Sequence, residues 1–180
     1  LTMPHQLVRQ TDGSFVYQPV TWDDRIIGDL TTNPNPGFVG STIKHMFLYR
    51  NRIGFLSNET VTMSRAGDLF NFFNTTALTS TDDDPIDISA STAKPVTLNY
   101  VRPTAVGLIL FGNTEQFLLS TDSDILSPKT AKINTMSSYE CDANVEAVST
   151  GIATNFIAKT PLYTKLFNLG EIRNDNPPLA

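Results

Sequence analysis

Only one cysteine, Cys141, occurs in the 180 residues. A lone thiol excludes an internal disulfide and any cysteine-built metal site, and reads as a small buried group. Histidine is nearly as scarce: His5 and His45 stand apart from each other, with no cysteine or carboxylate nearby at metal-ligand spacing. His45 lies among apolar neighbours, so it reads as a structural histidine. No stretch of 18 apolar residues is present, so no helical membrane span is expected. The longest apolar run, Val106 to Phe111, has the length of a strand and contains Gly107. Missing too are the Gly-x-Ser-x-Gly elbow, the phosphate-binding glycine loop and the His-Glu-x-x-His zinc motif. Charged residues make up 17%, with 13 Lys and Arg against 18 Asp and Glu, a net charge of -5. That balance offers no basic face to grip phosphates. A wall that DNA merely passes tolerates it, because like charge prevents sticking. The opening LTMPHQLVR carries neither an initiator Met nor a signal peptide and reads as mid-chain, a piece of a longer protein.

What is present is β-forming. The chain is 40% hydrophobic and of a length that suits about one domain. Turn residues recur at short intervals: Asp12-Gly13, Asn33-Pro34-Asn35-Pro36-Gly37, Ser57-Asn58, Asp82 to Pro85, Gly112-Asn113 and Ser127-Pro128. Short β-rich runs lie between them, and no segment sustains a 3.6-residue apolar period, so the fold class is all-β. Asp12-Gly13 predicts a hairpin of Gln6–Arg9 with Ser14–Gln18 through a type I′ turn. Residues 20 to 42 read as a long ordered loop with little regular structure. Strands are expected at Ile43–Tyr49, Arg52–Leu56, Thr60–Ser64, Val96–Val101, Val106–Phe111 and Gln116–Ser120. Others are expected at Ala131–Met136, Glu146–Ser149, Asn155–Ala158 and Tyr163–Phe167. Asp68–Phe73 is either one helical turn or an irregular aromatic plug.

The inner strands add an architectural clue. A half-solvated antiparallel sheet shows strict alternation. Met46-Phe47-Leu48-Tyr49, Leu108-Ile109-Leu110-Phe111 and Phe117-Leu118-Leu119 are instead apolar on both faces. Such strands imply sheets stacked on sheets, as in β-propeller blades or a sandwich inside a larger assembly. A blade takes about 40–45 residues, so at most about four fit here, and no repeated blade motif is visible. The expected organisation is 1–42 as a hairpin plus a long Pro/Gly-containing loop, and 43–180 as β-propeller-like blades within one larger domain.

Candidates for chemistry are thin. The run Asp82-Asp83-Asp84-Pro85-Ile86-Asp87 has the oxygens a hard cation needs. Adjacent carboxylates in an extended chain point to alternate sides, however, and a solvated turn opening a strand is the competing reading. Glu115, Asp122 and Asp124 would pair as acid and base only if folding gathered them. Asn58-Glu59-Thr60 and Asn74-Thr75-Thr76 match the glycosylation pattern, which matters only in a eukaryotic secretory setting. No catalytic, cofactor-binding or metal-binding residue is assigned. The interaction and packing candidates are Trp22, Arg25, Arg50, Arg52, Arg65, Asp68, Phe70, Phe72 and Phe73. The arginines are expected to pair with Glu59, Asp68 or the aspartates at 23, 24 and 29, either as bridges between subunits or blades or as weak surface pairs. The three phenylalanines should fill a core or a subunit contact.

The order MPHQLVR, TWDDRIIGD, TNPNPGFVG, YRNRIGFLSNETVTMSRAGDLFNFF and DDDPIDISAS closely resembles the tail tubular protein B family, the nozzle proteins of short-tailed bacteriophages. The resemblance is dense from Met3 to Ser91, continues through LILFGNTEQFLLS and LSPKTAKINTMSSYEC, and fades beyond Gly151. Ile53 stands where the family often has Leu, and Gly37 where it often has Ser. The resemblance implies a virion tail protein assembled in the host bacterial cytoplasm: a homo-oligomer, a ring of six at the distal tail, built largely on a β-propeller-like body. Its implied partners are the tail adaptor protein, the tail fibres and transiting double-stranded DNA, bound without sequence specificity. Family chains are several times longer. The family brings no catalytic motif, so an enzyme is not expected. The competing function is a polysaccharide-binding or -degrading propeller acting on a host surface polymer. A eukaryotic-type propeller interaction module would carry Trp-Asp and Gly-His repeat signatures, which are missing.

Overall fold

In the computed structural model, which describes residues 4–76, 78–151 and 153–170, thirteen strands are arranged in antiparallel sheets, with no helix among the described residues. β1 (His5–Arg9) and β2 (Phe15–Pro19) form a separate hairpin. β3 (Ile43–Tyr49), β4 (Arg52–Ser57), β5 (Thr60–Met63) and β6 (Ile86–Ser89) make one four-stranded meander. A second consists of β7 (Leu98–Pro103), β8 (Leu108–Gly112), β9 (Gln116–Thr121) and β10 (Ala131–Ser137). β11 (Val148–Thr150), β12 (Ala153–Lys159) and β13 (Thr164–Gly170) form a three-stranded sheet. The all-β reading is therefore correct. The described sheets do not close into a ring.

The doubly apolar runs of β8 and β9 are explained by three separate cores. β3 is instead an edge strand: Phe47 and Tyr49 pack inward while Met46 and Leu48 stay 59% and 67% exposed, against the expectation of burial on both faces. Leu56, Val61, Met63 and Ile86 from the first meander pack on Leu98, Leu108, Leu110, Phe117 and Leu119 from the second. The alternate residues of β8, Ile109 and Phe111, point the other way and meet Cys141, Ala147 and Phe156, the last from the third sheet. Phe55, which alternates with Leu56 in β4, joins Phe38 and Phe72 in a third cluster on the outer face of the first meander. The order is thus loop and aromatic cluster, first meander, second meander, third sheet. Each central strand buries one set of side chains on either side, at roughly 1.5–3 kcal/mol per large apolar residue. Alternation in hydrophobicity vanishes while alternation in direction remains.

Several expectations shift for identifiable reasons. The β1–β2 loop is not a two-residue type I′ turn. Arg9 pairs with Phe15, which leaves a five-residue loop, and of its residues only Gly13 has positive φ, 86°. Asp12 shapes that loop by accepting bonds from the Ser14 amide (2.9 Å) and hydroxyl (2.6 Å). The type I′ geometry appears instead between β3 and β4, where Arg50 and Asn51 take φ of 46° and 59°. β8 starts at Leu108, later than expected, because Gly107 passes so close to β9 that a Cβ on it would sit 2.3 Å from the Leu119 carbonyl. Residues 146–147 are not strand, since the Arg102 side chain holds the Ala147 carbonyl and forms an ion pair with Glu146. Strand β6 was not expected as an edge of the first meander, and the turn before it is not simply solvated, because Asp84 is fully buried.

Gly54 in β4 sits beneath the Phe47 ring, where an added Cβ would come within 2.2 Å of ring carbon Cζ. Gly54→Ala is therefore expected to lower the chemical-denaturation midpoint by an amount worth about 1–3 kcal/mol. Adding Phe47→Leu should recover part of that loss; an unchanged midpoint for Gly54→Ala would refute the packing.

Candidate functional site: a buried arginine and an aromatic cleft

The type I′ turn delivers Arg52 to the first position of β4, where it is 1% exposed. Its guanidinium faces carbonyls. Nη1 donates to Ser64 (2.8 Å), Asp84 (2.7 Å) and Asp83 (3.3 Å), and Nη2 to Asp82 (2.8 Å) and Leu126 (3.3 Å). These carbonyls belong to the end of β5, the acidic turn before β6 and the β9–β10 loop, so one side chain ties both meanders together. A planar fork of donors is suited to that convergence, and an ammonium is not. Burial depresses the Arg52 pKa, while Asp83 and Asp84 pull it back up. The expected pairing with surface carboxylates is thus corrected: the acidic turn folds beneath Arg52 and presents its backbone.

The carboxylates of that turn are occupied otherwise. Asp84 accepts from the Thr81 amide (2.7 Å) and from the Thr75 hydroxyl (3.1 Å) and amide (3.3 Å). Asp83 accepts from the Thr81 hydroxyl (2.6 Å) and from Arg65 Nε (2.8 Å), with which it forms an ion pair. The Thr81 hydrogen bond first, and Arg65 second, pull its carboxyl down to about 2. Asp87 accepts from the Gly37 amide at 2.6 Å and from Thr62; burial raises its pKa and those two bonds partly offset the rise. Among the described residues no group of three or more His, Cys, Asp or Glu is placed to hold a metal ion.

The other candidate residues fall into two groups. Arg50 reaches across to the Asp124 carbonyl (3.0 Å) and lies over the Tyr49 ring. Asp68 closes a tight turn with Arg65 through backbone pairing. Neither Arg50, Arg52 nor Arg65 bonds Glu59 or the aspartates at 23, 24 and 29; their partners come from residues 64, 82–84, 124 and 126. Trp22, Phe70, Phe72, Phe73 and Arg25 gather on the far face of the first meander. The Trp22 ring meets Phe72 edge-on at 5.5 Å and Phe55 and Phe70 at 6.0 Å. Arg25 lies 5.0 Å above Phe73 and donates to Asn35 (2.6 Å).

Asp68–Phe73 is not helical, and its rings are not equally buried: Phe72 is 7% exposed but Phe70 is 41% exposed. With Trp22, Phe38, Val39, Asp23 and Asp24, Phe70 borders an open cleft of about 210 Å³. Nε1 of Trp22, a residue of the cleft wall, is buried without a hydrogen-bond partner, as is Nε of Arg25.

Phe38, Phe55 and Asn33 belong to this site although sequence reasoning did not single them out. Asn33 is buried and stitches residues 27 and 74 together, through bonds to the Ile27 carbonyl (2.9 Å) and the Asn74 carbonyl and amide (both 3.1 Å). Its position before Pro34 in a Pro/Gly stretch was the available signal.

Glu115 and Asp122 are not gathered. Glu115 precedes β9 and Asp122 follows it, so the six-residue strand separates them by about 20 Å. Paired glycosidase carboxylates need about 5–9.5 Å. Asp122 is moreover ion-paired with Lys132. The Cys141 thiol is buried, and burial first, then Asp142, pushes it up to about 11, which leaves it unreactive near neutrality. Burial and Arg102 depress His45 while Glu146 opposes them, and its ring sits edge-on to Tyr100 at 6.0 Å.

The model of the bacteriophage nozzle protein family matches residues 1–176. The chain belongs to the bacteriophage nozzle protein family. It is 39% identical over 160 residues to the tail tubular protein gp12 of Escherichia phage T7, which covers 89% of this chain and 20% of that relative. The chain therefore spans about a fifth of the relative's length. Within this nozzle family member, Arg52 holds the two meanders together and the aromatic cleft lies open on the outer face of the first.

Two outcomes are expected. Arg52→Met should destabilise the fold by about 3–5 kcal/mol, since it strands several buried carbonyls, and Arg52→Lys should recover only part of the loss; thermal denaturation reads both. Asp83 is depressed in the folded state, so its contribution is complete above the unfolded value near 3.8 and is lost as pH falls toward 2. Asp83→Asn should flatten the acid limb of the stability profile between those pH values, by less than about 1 kcal/mol because the pair is partly exposed.

Proposed function

We propose that this chain is part of the structural wall of a phage tail nozzle: a virion protein of the distal tail tube through which DNA leaves for the host, and a scaffold for the adaptor and fibres. The observation that carries this reading is what the segment from Arg50 to Phe73 does with its charges and rings. Arg52 and Arg65 are consumed in holding the acidic turn and the two meanders in place, and Phe72 closes the outer core. A stack braced by its own polar groups is suited to resisting load. Family membership and the likeness to a protein named for a tail tube support the same conclusion.

Several finer features belong to the same proposal. The two four-stranded meanders have the strand order of propeller blades, and residues 43–180 would be part of a propeller-like body, with 1–42 as its hairpin and loop. Six copies would form the ring. The net charge of -5 suits a channel wall that passes DNA without binding its sequence. No helix among the described residues is long and apolar enough to cross a membrane. The role is not enzymatic.

The test is native mass measurement of the full-length protein together with electron microscopy of intact particles. A six-membered ring at the tail's distal end is expected. A full-length protein that stays monomeric and is absent from the tail would sink the proposal.

A further inference from the structure

The β1–β2 hairpin packs closely against no other strand among the described residues. Facing pairs place His5, Leu7, Arg9, Phe15, Tyr17 and Pro19 on one side of it. On that side Leu7 is 64%, Phe15 60% and Tyr17 71% exposed. A lone two-stranded hairpin is marginal in water, and an aromatic face of this kind is a contact surface. The aromatic cleft has the opposite character. It has apolar walls in Phe70 and Val39, and its rim carries Asp23 and Asp24, whose carboxylates pair with no cation among the described residues. Arg25 does not neutralise them, being held by Asn35 and Phe73. The arm thus offers apolar rings and one cation, Arg9, while the cleft offers apolar rings and two anions.

The arm cannot fill the cleft of its own chain. Its root is closed by a bond from the Val20 amide to the Pro4 carbonyl, at 3.1 Å. Three residues later the Asp23 amide is pinned to the Phe70 carbonyl, also at 3.1 Å. Between these two anchors lie only Thr21 and Trp22, and the Trp22 ring is wedged among Phe55, Phe70 and Phe72. That short tether fixes the arm outside its own cleft. The arm itself extends about 17 Å, enough to cross onto a neighbour.

We propose that the hairpin arm of one copy docks into the aromatic cleft of a second copy, with Leu7, Phe15 and Tyr17 against Phe70 and Val39 and with Arg9 facing Asp23 and Asp24. This assigns a surface to the self-association proposed above and rests on that reading. Buried rings would hold the contact, and the charge pair would set its register.

The experiment uses the full-length protein, co-expressed as two differently tagged forms, one with Leu7→Cys and the other with Val39→Cys. Oxidation should give a crosslinked heterodimer carrying both tags. Crosslinking confined within a single chain of the double variant, or no crosslink in an assembled ring, would overturn the docking while leaving the ring itself intact. Failure to form any ring would instead count against the proposed function. Arg9→Glu should weaken assembly roughly tenfold, and the combined change Asp23→Lys and Asp24→Lys should restore it. Unaltered assembly in Arg9→Glu, or no rescue, would overturn the charge pairing, and with it the choice of the cleft as the docking site. If another part of the same long chain covers the arm, the heterodimer band will be missing and the proposal fails.

Discussion

The Arg52 guanidinium is the constraint on which the two meanders depend. Burying an unpaired cation would cost several kcal/mol, so the chain must surround it with acceptors. Those acceptors come from residues 64, 82 to 84 and 126, which are distant in sequence. The acidic turn has to come in beneath β4, and the β9–β10 loop has to approach from the second meander. Asp83 and Asp84 then complete the arrangement by taking bonds from Arg65, Thr75 and Thr81. A run that looks like a cation site is a folded turn organised around a cation of the protein's own.

Much of the architecture was legible because it rests on local chemistry. Runs such as Leu108 to Phe111 are apolar on both faces, and stacking is the only arrangement that buries both. Strand positions were legible within a residue or two wherever turns were strong. What escaped depended on contacts between distant segments. A strand after the Asp82–Pro85 turn was a reading of the sequence, but that its Ile86 and Ile88 pair with Met63 and Val61 at the edge of the first meander was not. The type I′ turn lies at Arg50-Asn51, a pair without glycine, while the Asp-Gly sequence used a longer loop set by an aspartate side chain.

The candidate residues divide along the same line. That Phe70, Phe72 and Phe73 would be packed was readable from their clustering, but their unequal burial was not. Phe72 is enclosed because Phe38 and Phe55 come to it from residues 34 and 17 positions earlier in the chain. The partners of Arg50 and Arg52 were misjudged because acidic side chains were sought where carbonyls did the work, whereas Arg65 does pair with a carboxylate, that of Asp83. Main-chain acceptors are present at every residue, so a sequence cannot single them out.

A strand that is apolar on both faces raises a difficulty of its own. Pairing register is normally enforced because a slip of one residue would turn the apolar set outward. For β8 such a slip still leaves only apolar residues or glycine at positions 108 to 111, so hydrophobicity alone constrains its register weakly. Two glycines supply what the pattern cannot. Gly107 leaves no room for a side chain beside the Leu119 carbonyl, and Gly112 leaves none beside Val96 and the Glu115 carbonyl. A one-step slip would bring Leu108 or Val106 to the first place and Phe111 or Asn113 to the second. The register of the most deeply buried strand is therefore specified by the absence of side chains at its two ends.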